Sequence, residues 1–557
     1  MERTWWKEAV IYQVYVRSFM DSNGDGIGDI PGVISRLDYL KELGIDVIWL
    51  NPVYKSPNDD NGYDISDYRK IMDEFGTMAD WEKLLEECHG RGIRLIMDLV
   101  VNHTSDEHPW FLESRKSKDN PYRDYYIWKP AGKGPKGEPN NWESIFSGSA
   151  WEWDEATGEY YLHLFSRKQP DLNWDNPKVH REIIDMMTWW LDKGIDGFRM
   201  DAVHLLKKPA GLPDSTNPPT HKEGYVGDEV LYAHNEGIHN IFREMNRSAL
   251  SRYDVMTVAE MNRATPAMAG DYVSPRREEL DMIFHFEICG LPRYCEEKKR
   301  ISELNRIQQR WYDASWKSGW NSQYFNNHDQ PRQVSAWGDD GKYRVQSAKL
   351  LATYLHTMPG SPYVYQGEEI GMTNFPFSSM KEINDVSLRN DWAKCSAAGE
   401  SEEDFLSRQA KWTRENARTP MQWDDSPQAG FTTGTPWLKV NPNYREINVK
   451  SARSDPNSIF HYYRRLIALR KAHPVMIYGD YRLHSRKKGP VVVFTRTLEK
   501  EQLLVVLNFS SEKQVSLLPL GKGRGWKSIL GNYADFSLRG RRLLRPWETY
   551  IMSRAVK

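Results

Sequence analysis

The 557-residue sequence has few cysteines, no long apolar run and almost no net charge. Its four cysteines (Cys88, Cys289, Cys295 and Cys395) show no zinc-binding spacing, and so few thiols suit a reducing cytoplasm better than a disulfide-bonded secreted fold. No apolar stretch approaches the roughly 18 residues of a membrane span, and the N-terminus lacks the basic, apolar and small-residue parts of a signal peptide. We therefore expect a cytoplasmic protein with no membrane partner.

Positive and negative side chains nearly balance. Lys and Arg number 75, Asp and Glu number 77, and the net charge is −2. This balance gives no electrostatic reason to expect nucleic acid or an anionic membrane as a partner. The chain is too long for one simple core, so we expect one large domain with smaller ones attached, as a monomer or a small homo-oligomer.

Eight short apolar segments recur along the chain, most of them separated by amphipathic helical stretches. They are AVIYQVYV (9–16), DVIWLNPV (46–53), RLIMDLVV (94–101), DGFRMDAV (196–203), VMTVAE (255–260), LDMIFHF (280–286), SQYFNNHD (322–329) and SPYVYQG (361–367). Alternating strands and helices predict an α/β fold with a parallel sheet, and eight such units predict a closed (β/α)8 TIM barrel. An open doubly wound sheet is the alternative that periodicity leaves.

Two parts of the chain depart from this alternation of strands and helices. The interval between the third and fourth segments is too long for an ordinary strand-to-helix connection, and residues 104–174 within it are rich in Trp, Tyr, Gly and Pro. Near residue 478 the pattern changes to short strands with turns between them. We predict a barrel over residues 1–103 and 175–478, an inserted small domain over 104–174, and a C-terminal all-β sandwich domain over 479–557.

Polar side chains follow four of the predicted strands, at the ends where barrel active sites form. They are in the stretch DLVVNH, Asp98 to His103, at the third strand, Arg199 and Asp201 after the fourth, Glu260 after the fifth, and His328 and Asp329 after the seventh. Arg199 and Asp201 are two residues apart and therefore lie on the same face of an extended strand. Singly, each group is as easily a helix cap or a surface ion pair, but four together indicate one pocket.

Three carboxylates in one pocket suit the hydrolysis of a glycosidic bond. That reaction needs one carboxyl group that is protonated to donate to the leaving oxygen and another that is ionised to attack the anomeric carbon. Arg199 beside Asp201 would keep that aspartate ionised. A two-metal hydrolase is the competing use of such carboxylates, with His103 and His328 nearby. The sequence has no HExxH, no matched serine triad and no phosphate-binding loop.

The segments DLVVNH, GFRMDAV, TVAE and NNHD resemble the four signature regions of the α-amylase superfamily, glycoside hydrolase family 13. The similarity is greatest to the branch of α-glucosidases and oligo-1,6-glucosidases. Four further stretches resemble that branch, namely the opening WWKEAVIYQVYVRSF and the segments QPDLNW, YQGEEIGMTN and ENARTPMQW. The resemblance runs over nearly the whole chain.

The resemblance implies a role for each matching residue. Asp201 would be the nucleophile, Glu260 the general acid and later the base, and Asp329 would bind sugar hydroxyls and stabilise the transition state. The residues expected around the same glucosyl ring are Tyr63, His103, Arg199 and His328, with Phe146, Phe165 and Gln169 in the inserted domain. Asp60 would pair with Arg414, or with the nearby Arg418, to close the pocket behind the terminal sugar.

The stretch DSNGDGIGDI spaces its oxygen-bearing residues as an EF-hand calcium loop does. The residues are Asp21, Asn23, Asp25, Ile27 through its carbonyl, and Asp29. An EF-hand also needs a glutamate at the position of Gly32 and a helix where this sequence predicts a strand, so a solvated Asp/Gly turn remains the alternative. The resemblance implies a structural Ca2+ ion here, no organic cofactor, and no second calcium site at Asn102, since that site is generally absent from this branch.

The predicted function is a retaining, exo-acting α-glucosidase that releases glucose from short α-glucosides. In the branch it resembles, alanine after the nucleophile accompanies a preference for α-1,4 bonds and valine a preference for α-1,6 bonds. Ala202 therefore predicts α-1,4. One alternative is a sucrose isomerase or another glucosyl-transferring relative, although Ser387 stands where isomerases carry a glutamate. A non-catalytic relative, such as a transporter-associated heavy chain, is disfavoured because all three acids are present.

Overall fold

The computed structural model describes residues 3–220, 222–316, 318–485, 488–516, 525–533 and 542–556. All eight predicted segments form strands of one parallel sheet, with the order β6-β5-β4-β3-β2-β1-β8-β7. The strands are β1 (Ile11–Val14), β2 (Val47–Leu50), β3 (Arg94–Val100), β4 (Gly197–Asp201), β5 (Met256–Met261), β6 (Met282–His285), β7 (Ser322–Gln323) and β8 (Ser361–Tyr365).

Side-chain hydrogen bonds bring together the two edge strands, β6 and β7. Ser322 Oγ donates to the carbonyl of Ile283 at 2.7 Å, and Tyr324 Oη donates to the carbonyl of His285 at 2.8 Å. The sheet therefore curls into a nearly closed (β/α)8 barrel, and the open doubly wound alternative is wrong. The strands are buried on both faces because side chains fill the barrel interior while helices cover the outside. The interior includes Ile11, Val47, Trp49, Ile96, Val258, Met282, Phe284 and Tyr363.

The outer helices alternate with the strands. They are Ile30–Ser35, Leu37–Leu43, Met78–Gly90, Pro177–Asp192, Ile238–Ser248, Pro266–Val273, Glu297–Ser315, Arg344–Thr357 and Ile459–Ala472. Local sequence sets where they begin. Thr77 and Asp80 form a reciprocal capping box at the start of Met78–Gly90, and Asn176 caps Pro177–Asp192 with a proline in its first turn. None of the helices in the described ranges is long and apolar enough to cross a membrane.

A small domain follows β3, as predicted. Its three-stranded antiparallel sheet has the order Trp128–Lys129, Glu159–Leu162, Trp151–Asp154. A second long connection, which sequence analysis did not single out, follows β8 and carries the helices Val386–Ala397 and Glu402–Gln409. Both connections leave the carboxyl ends of barrel strands and therefore lie over the same end of the barrel.

The C-terminal part is all-β. A five-stranded antiparallel sheet has the order Asp480–Leu483, Val491–Leu498, Glu501–Asn508, Thr549–Ala555, Lys527–Gly531, and a two-stranded sheet pairs Gln514–Ser516 with Arg542–Leu544. Leu544 of the small sheet shares a core with Val493, Leu504 and Val506 of the large one. Two sheets facing one core make the predicted sandwich. The domain boundaries proposed from the sequence stay predictions.

Candidate active site

A cavity of about 330 Å³ opens at the carboxyl ends of the barrel strands. Asp201 at the end of β4, Glu260 near the end of β5 and Asp329 after β7 all line it. The other lining residues named in the sequence analysis are Asp60, Tyr63, His103, Phe146, Phe165, Ala202, Ser387 and Arg414. The cavity size and its mixture of rings and charges suit a small polar ligand.

One buried guanidinium joins the carboxylates at the base of this cavity. Arg199 Nη1 donates to Asp201 Oδ1 at 2.5 Å and to Asp98 Oδ1 at 2.6 Å, and Nη2 donates to Glu260. The sheet register explains this arrangement, since Asp98 of β3 stands directly beside Arg199 of β4. Sequence analysis quoted Asp98 within a motif but gave it no role, because the sequence alone does not show which residues of β3 and β4 lie side by side.

Burial and the surplus of negative charge around Arg199 both raise the pKa values of Glu260 and Asp98. Burial, reinforced by the charges of Asp201 and Asp329, holds the pKa of Glu260 well above its usual range although Arg199 opposes the shift. Burial likewise raises the pKa of Asp98 to about 7 against the effect of Arg199. Glu260 is therefore suited to carry a proton near neutral pH.

A second charge cluster forms the opposite wall. Arg414 Nη2 donates to Asp60 Oδ1 at 2.8 Å, its Nε donates to Asp385 at 2.8 Å, and its Nη1 lies 3.3 Å from Asp329 Oδ1. Of the two candidate partners for Asp60, the structure therefore places Arg414 there, whereas Arg418 Nη2 donates to Asp329 Oδ1 at 2.7 Å. Sequence analysis missed Asp385, whose position depends on the connection after β8.

The arginines give the two aspartates of this wall different pKa values. Burial alone would raise the pKa of Asp329, but His328, Arg414 and Arg418 outweigh it and hold that pKa well below its usual range. Burial dominates at Asp60 and raises its pKa to about 6 despite the two arginines. Asp329 is thus an ionised hydrogen-bond acceptor in the pocket.

Rings and amides complete the walls. The rings of Tyr63 and His328 stack with centroids 5.1 Å apart and planes 4° apart, and Gln13 Nε2 lies 2.8 Å from His328 Nδ1. On the side of the inserted domain, Gln169 Nε2 lies 3.2 Å from both Asp60 and His103. Phe146 and Phe165 pack edge to face at 5.5 Å. Flat rings beside amide and carboxylate groups match the alternating apolar and hydroxyl faces of a sugar.

A buried lysine that sequence analysis missed ties the inserted domain to the barrel. Lys208 Nζ lies 2.7 Å from Asp171 Oδ2 and donates to Asn102 Oδ1 at 2.9 Å and to the carbonyl of Leu205 at 2.5 Å. An ammonium therefore fills the space beside Asn102. A calcium ion beside Asn102 would be repelled by this ammonium.

Backbone N–H groups of the acidic loop after β1 donate hydrogen bonds to the loop's own carboxylates. Asp21 accepts hydrogen bonds from the N–H groups of Asn23, Gly24 and Gly26 at 2.8–2.9 Å. Asp29 caps the helix Ile30–Ser35 by accepting from Gly32 at 2.6 Å.

The loop's donor set suits a hard cation, because Ca2+ prefers carboxylate, amide and carbonyl oxygens. In the part of the chain that the structure describes, no Lys or Arg forms an ion pair with Asp21, Asp25 or Asp29, so no described cationic side chain neutralises them. The same part contains no three His, Cys, Asp or Glu side chains gathered closely enough to bind a metal by themselves. Binding of Ca2+ in this loop would therefore also need the Asn23 amide oxygen and the Ile27 carbonyl as ligands.

A (β/α)8 barrel whose strand ends bring Asp201, Glu260, Asp329 and His103 to one sugar-sized cavity is typical of a carbohydrate-cleaving enzyme. A family model described as the alpha-amylase catalytic domain matches residues 13–479, so the chain belongs to the α-amylase family. Within that family it is a glycoside hydrolase with oligosaccharide substrates. This outcome confirms the resemblance to the α-amylase family.

Several relatives are similar over their whole length. The chain is 57% identical to an oligo-1,6-glucosidase of Parageobacillus thermoglucosidasius over 99% of both proteins, and 55% identical to one of Bacillus cereus over 93% of both. Among solved structures, a trehalose-6-phosphate hydrolase of Bacillus licheniformis matches with a TM-score of 0.93 and 44% identity over all of both chains. A trehalulose synthase matches with a TM-score of 0.93 and 42% identity over 99% of this chain and 100% of that one.

Proposed function

We propose that the protein is a retaining, exo-acting α-glucosidase that releases glucose from the non-reducing end of short α-glucosides. The observation that carries the proposal is the Arg199 guanidinium, which binds Asp201 and Glu260 at neighbouring nitrogens. Carboxyl groups about 5 Å apart are typical of retaining enzymes, whereas inverting enzymes keep them further apart to admit a water molecule. Two carboxylates sharing one guanidinium fit the closer arrangement.

The reaction proceeds in two steps. The Asp201 carboxylate attacks the anomeric carbon while the bond to the leaving oxygen breaks, and Glu260 gives its proton to that oxygen. Glu260, now a carboxylate, then takes a proton from a water molecule whose oxygen attacks the same carbon and releases Asp201. Asp329 and the arginines beside it bind ring hydroxyls, so that the pocket is ordered before the charge on the sugar develops.

The exo mode of action follows from the closed wall of the pocket. Arg414 binds Asp60, Asp329 and Asp385 together, and this cluster would block a glucan chain from extending past the terminal glucose. Hydrolysis is favoured over isomerisation because Ser387, which lines the cavity, is a neutral side chain at the position where sucrose isomerases carry a glutamate. Product chromatography on sucrose tests this choice: glucose and fructose support hydrolysis, whereas a sucrose isomer as the main product contradicts it.

The α-1,4 preference predicted from Ala202 is not supported, because relatives at 51–57% identity carry the name oligo-1,6-glucosidase. We propose that α-1,6 bonds are preferred. Ala202 lines the cavity with a left-handed φ of 46°. A single side chain of this size changes discrimination by only ~1–3 kcal/mol, about 10–200-fold, so other parts of the pocket can outweigh it.

The expected result is a higher kcat/KM for isomaltose than for maltose, with the ratio rising further in Ala202→Val because two added methyl groups crowd the leaving sugar of an α-1,4 bond. Ala202→Gly is the matched control, since it removes bulk and suits the left-handed backbone. Thermal unfolding should accompany the kinetics, because a β-branched residue is strained at positive φ. Faster cleavage of maltose by the wild-type enzyme would contradict the α-1,6 proposal and leave the α-glucosidase proposal intact.

We also propose that the loop of Asp21–Asp29 holds a structural Ca2+ ion. An ion that binds only the folded chain stabilises it by mass action, so chelation should lower the Tm and added Ca2+ should restore it. Asp21→Ala combined with Asp25→Ala should abolish this response without changing kcat, because the loop contributes no cavity-lining residue. An unchanged Tm after chelation, together with no calcium in elemental analysis, would show that the loop is an ordinary solvated turn.

A further inference from the structure

The helix Val386–Ala397, in the long connection after β8, runs along the mouth of the pocket. Its side chains Ser387, Leu388 and Asp391 line the cavity, at the spacing that puts residues on one helix face. Asp385, which caps the helix, also binds Arg414. The position of this helix is therefore tied directly to the wall of the pocket.

A neighbouring face of the same helix binds the inserted domain. Asn390 Nδ2 donates to the carbonyl of Phe146 at 3.1 Å, and Lys394 Nζ donates to Ser147 Oγ and lies 3.7 Å from Glu143. Asn390 and Lys394 are four residues apart and so share this face. Together they connect parts of the chain separated by more than 240 residues, since the Asn390–Phe146 bond spans 244. We call these two contacts the clasp.

Phe146 is the residue through which the clasp reaches the substrate. Its ring lies between Phe165, 5.5 Å away, and the Arg414 guanidinium, whose central carbon is 5.0 Å from the ring centroid. The next residue, Ser147, has a φ of 75°, a conformation that residues other than glycine rarely adopt. Within the inserted domain, the Phe146 N–H donates to Ser144 Oγ at 3.0 Å and the Ser147 N–H to the Ser144 carbonyl at 2.9 Å. These bonds order the backbone of the turn, and the clasp adds contacts from outside it.

We propose that Asn390 and Lys394 are positioning residues that hold Phe146 against Arg414 and thereby set the width of the pocket around the terminal glucose. This inference rests on the proposed α-glucosidase function. The clasp does not touch the reacting atoms. Its loss should therefore weaken glucose binding and leave the rate of the chemical step nearly unchanged.

A double-mutant cycle tests the clasp, with kcat and KM measured on isomaltose. Asn390→Ala with Lys394→Ala should raise KM about tenfold and change kcat by less than about threefold, since uniform binding is lost. Phe146→Ala should raise KM at least as much. The triple variant should match Phe146→Ala alone, because contacts that act through one ring are non-additive. Lys394→Arg, with Asn390 intact, should keep most of the wild-type KM.

Lys439→Ala is the matched control. Lys439 lies in the same connection and pairs with Glu382 at 2.8 Å, but it is exposed and does not line the cavity, so its loss should leave KM unchanged. Additive effects of the clasp and Phe146 substitutions, or an unchanged KM in the clasp variant, would overturn the inference. So would a fall in Tm and kcat with KM constant, which is the signature of a merely structural role. If the wild-type enzyme releases no glucose from any α-glucoside, the proposed function fails before any variant is compared, and the inference fails with it.

Discussion

Asp201→Asn is expected to lower kcat on isomaltose by about 10⁴-fold or more, since the group that forms the covalent bond to the anomeric carbon is lost. An amide is a poor nucleophile, and Asp98, which shares Nη1 of Arg199 with Asp201, does not line the cavity. Asparagine is almost the same size and keeps an oxygen that can accept from Arg199. The variant should therefore fold normally and still bind glucose.

The measurements are turnover on isomaltose, Tm and glucose affinity by calorimetry. Azide is a further test, because a small anion can attack the anomeric carbon from the space beside a shortened nucleophile. Asp201→Gly with azide should yield a glucosyl azide of inverted configuration. Asp175→Asn is the control, since Asp175 forms an exposed ion pair with Lys207 outside the cavity and its loss should leave kcat unchanged. Turnover by Asp201→Asn at the wild-type rate would exclude Asp201 as the nucleophile.

Glu260→Gln is expected to lower kcat/KM on isomaltose by about 10²–10⁴-fold, because a sugar leaving group needs the proton that glutamine does not give. On an aryl α-glucoside with an acidic phenol as leaving group, formation of the glucosyl-enzyme should be much less affected. This contrast between substrates separates a general acid from a residue that only maintains the fold. Equal losses on both substrates would contradict the assignment.

The pH profile gives an independent test of Glu260. Since the acid must be protonated to act, kcat/KM should fall as the pH rises through the pKa of Glu260, which burial and the neighbouring carboxylates hold well above its usual range. The alkaline fall should therefore begin well above the ordinary titration range of a glutamate. In Glu260→Gln the same fall should be absent on the aryl substrate. If the alkaline fall persists unchanged in Glu260→Gln, a group other than Glu260 causes it.

Much of the barrel was predictable, because strands buried on both faces require continuous apolar segments and each of the eight appears in the sequence. The carboxylates were predictable for a similar reason, since Asp201, Glu260 and Asp329 directly follow or end such segments. The roles of Asp98 and Lys208 could not be predicted from the sequence. Asp98 acts across a strand register, and Lys208 meets Asn102 only after the inserted domain has folded back onto the barrel.

The sequence by itself determined the eight strand segments, the acidic loop after β1 and the candidate residues at the strand ends, because these depend on short-range patterns of two or a few residues. Only the tertiary structure decided how one guanidinium is shared among Asp98, Asp201 and Glu260, and that Arg414, not Arg418, binds Asp60. It also decided that a helix after β8 supports Phe146 in a domain inserted after β3. Charge sharing and packing depend on distances between residues remote in the chain, and burial then sets the pKa values that suit each group to its role.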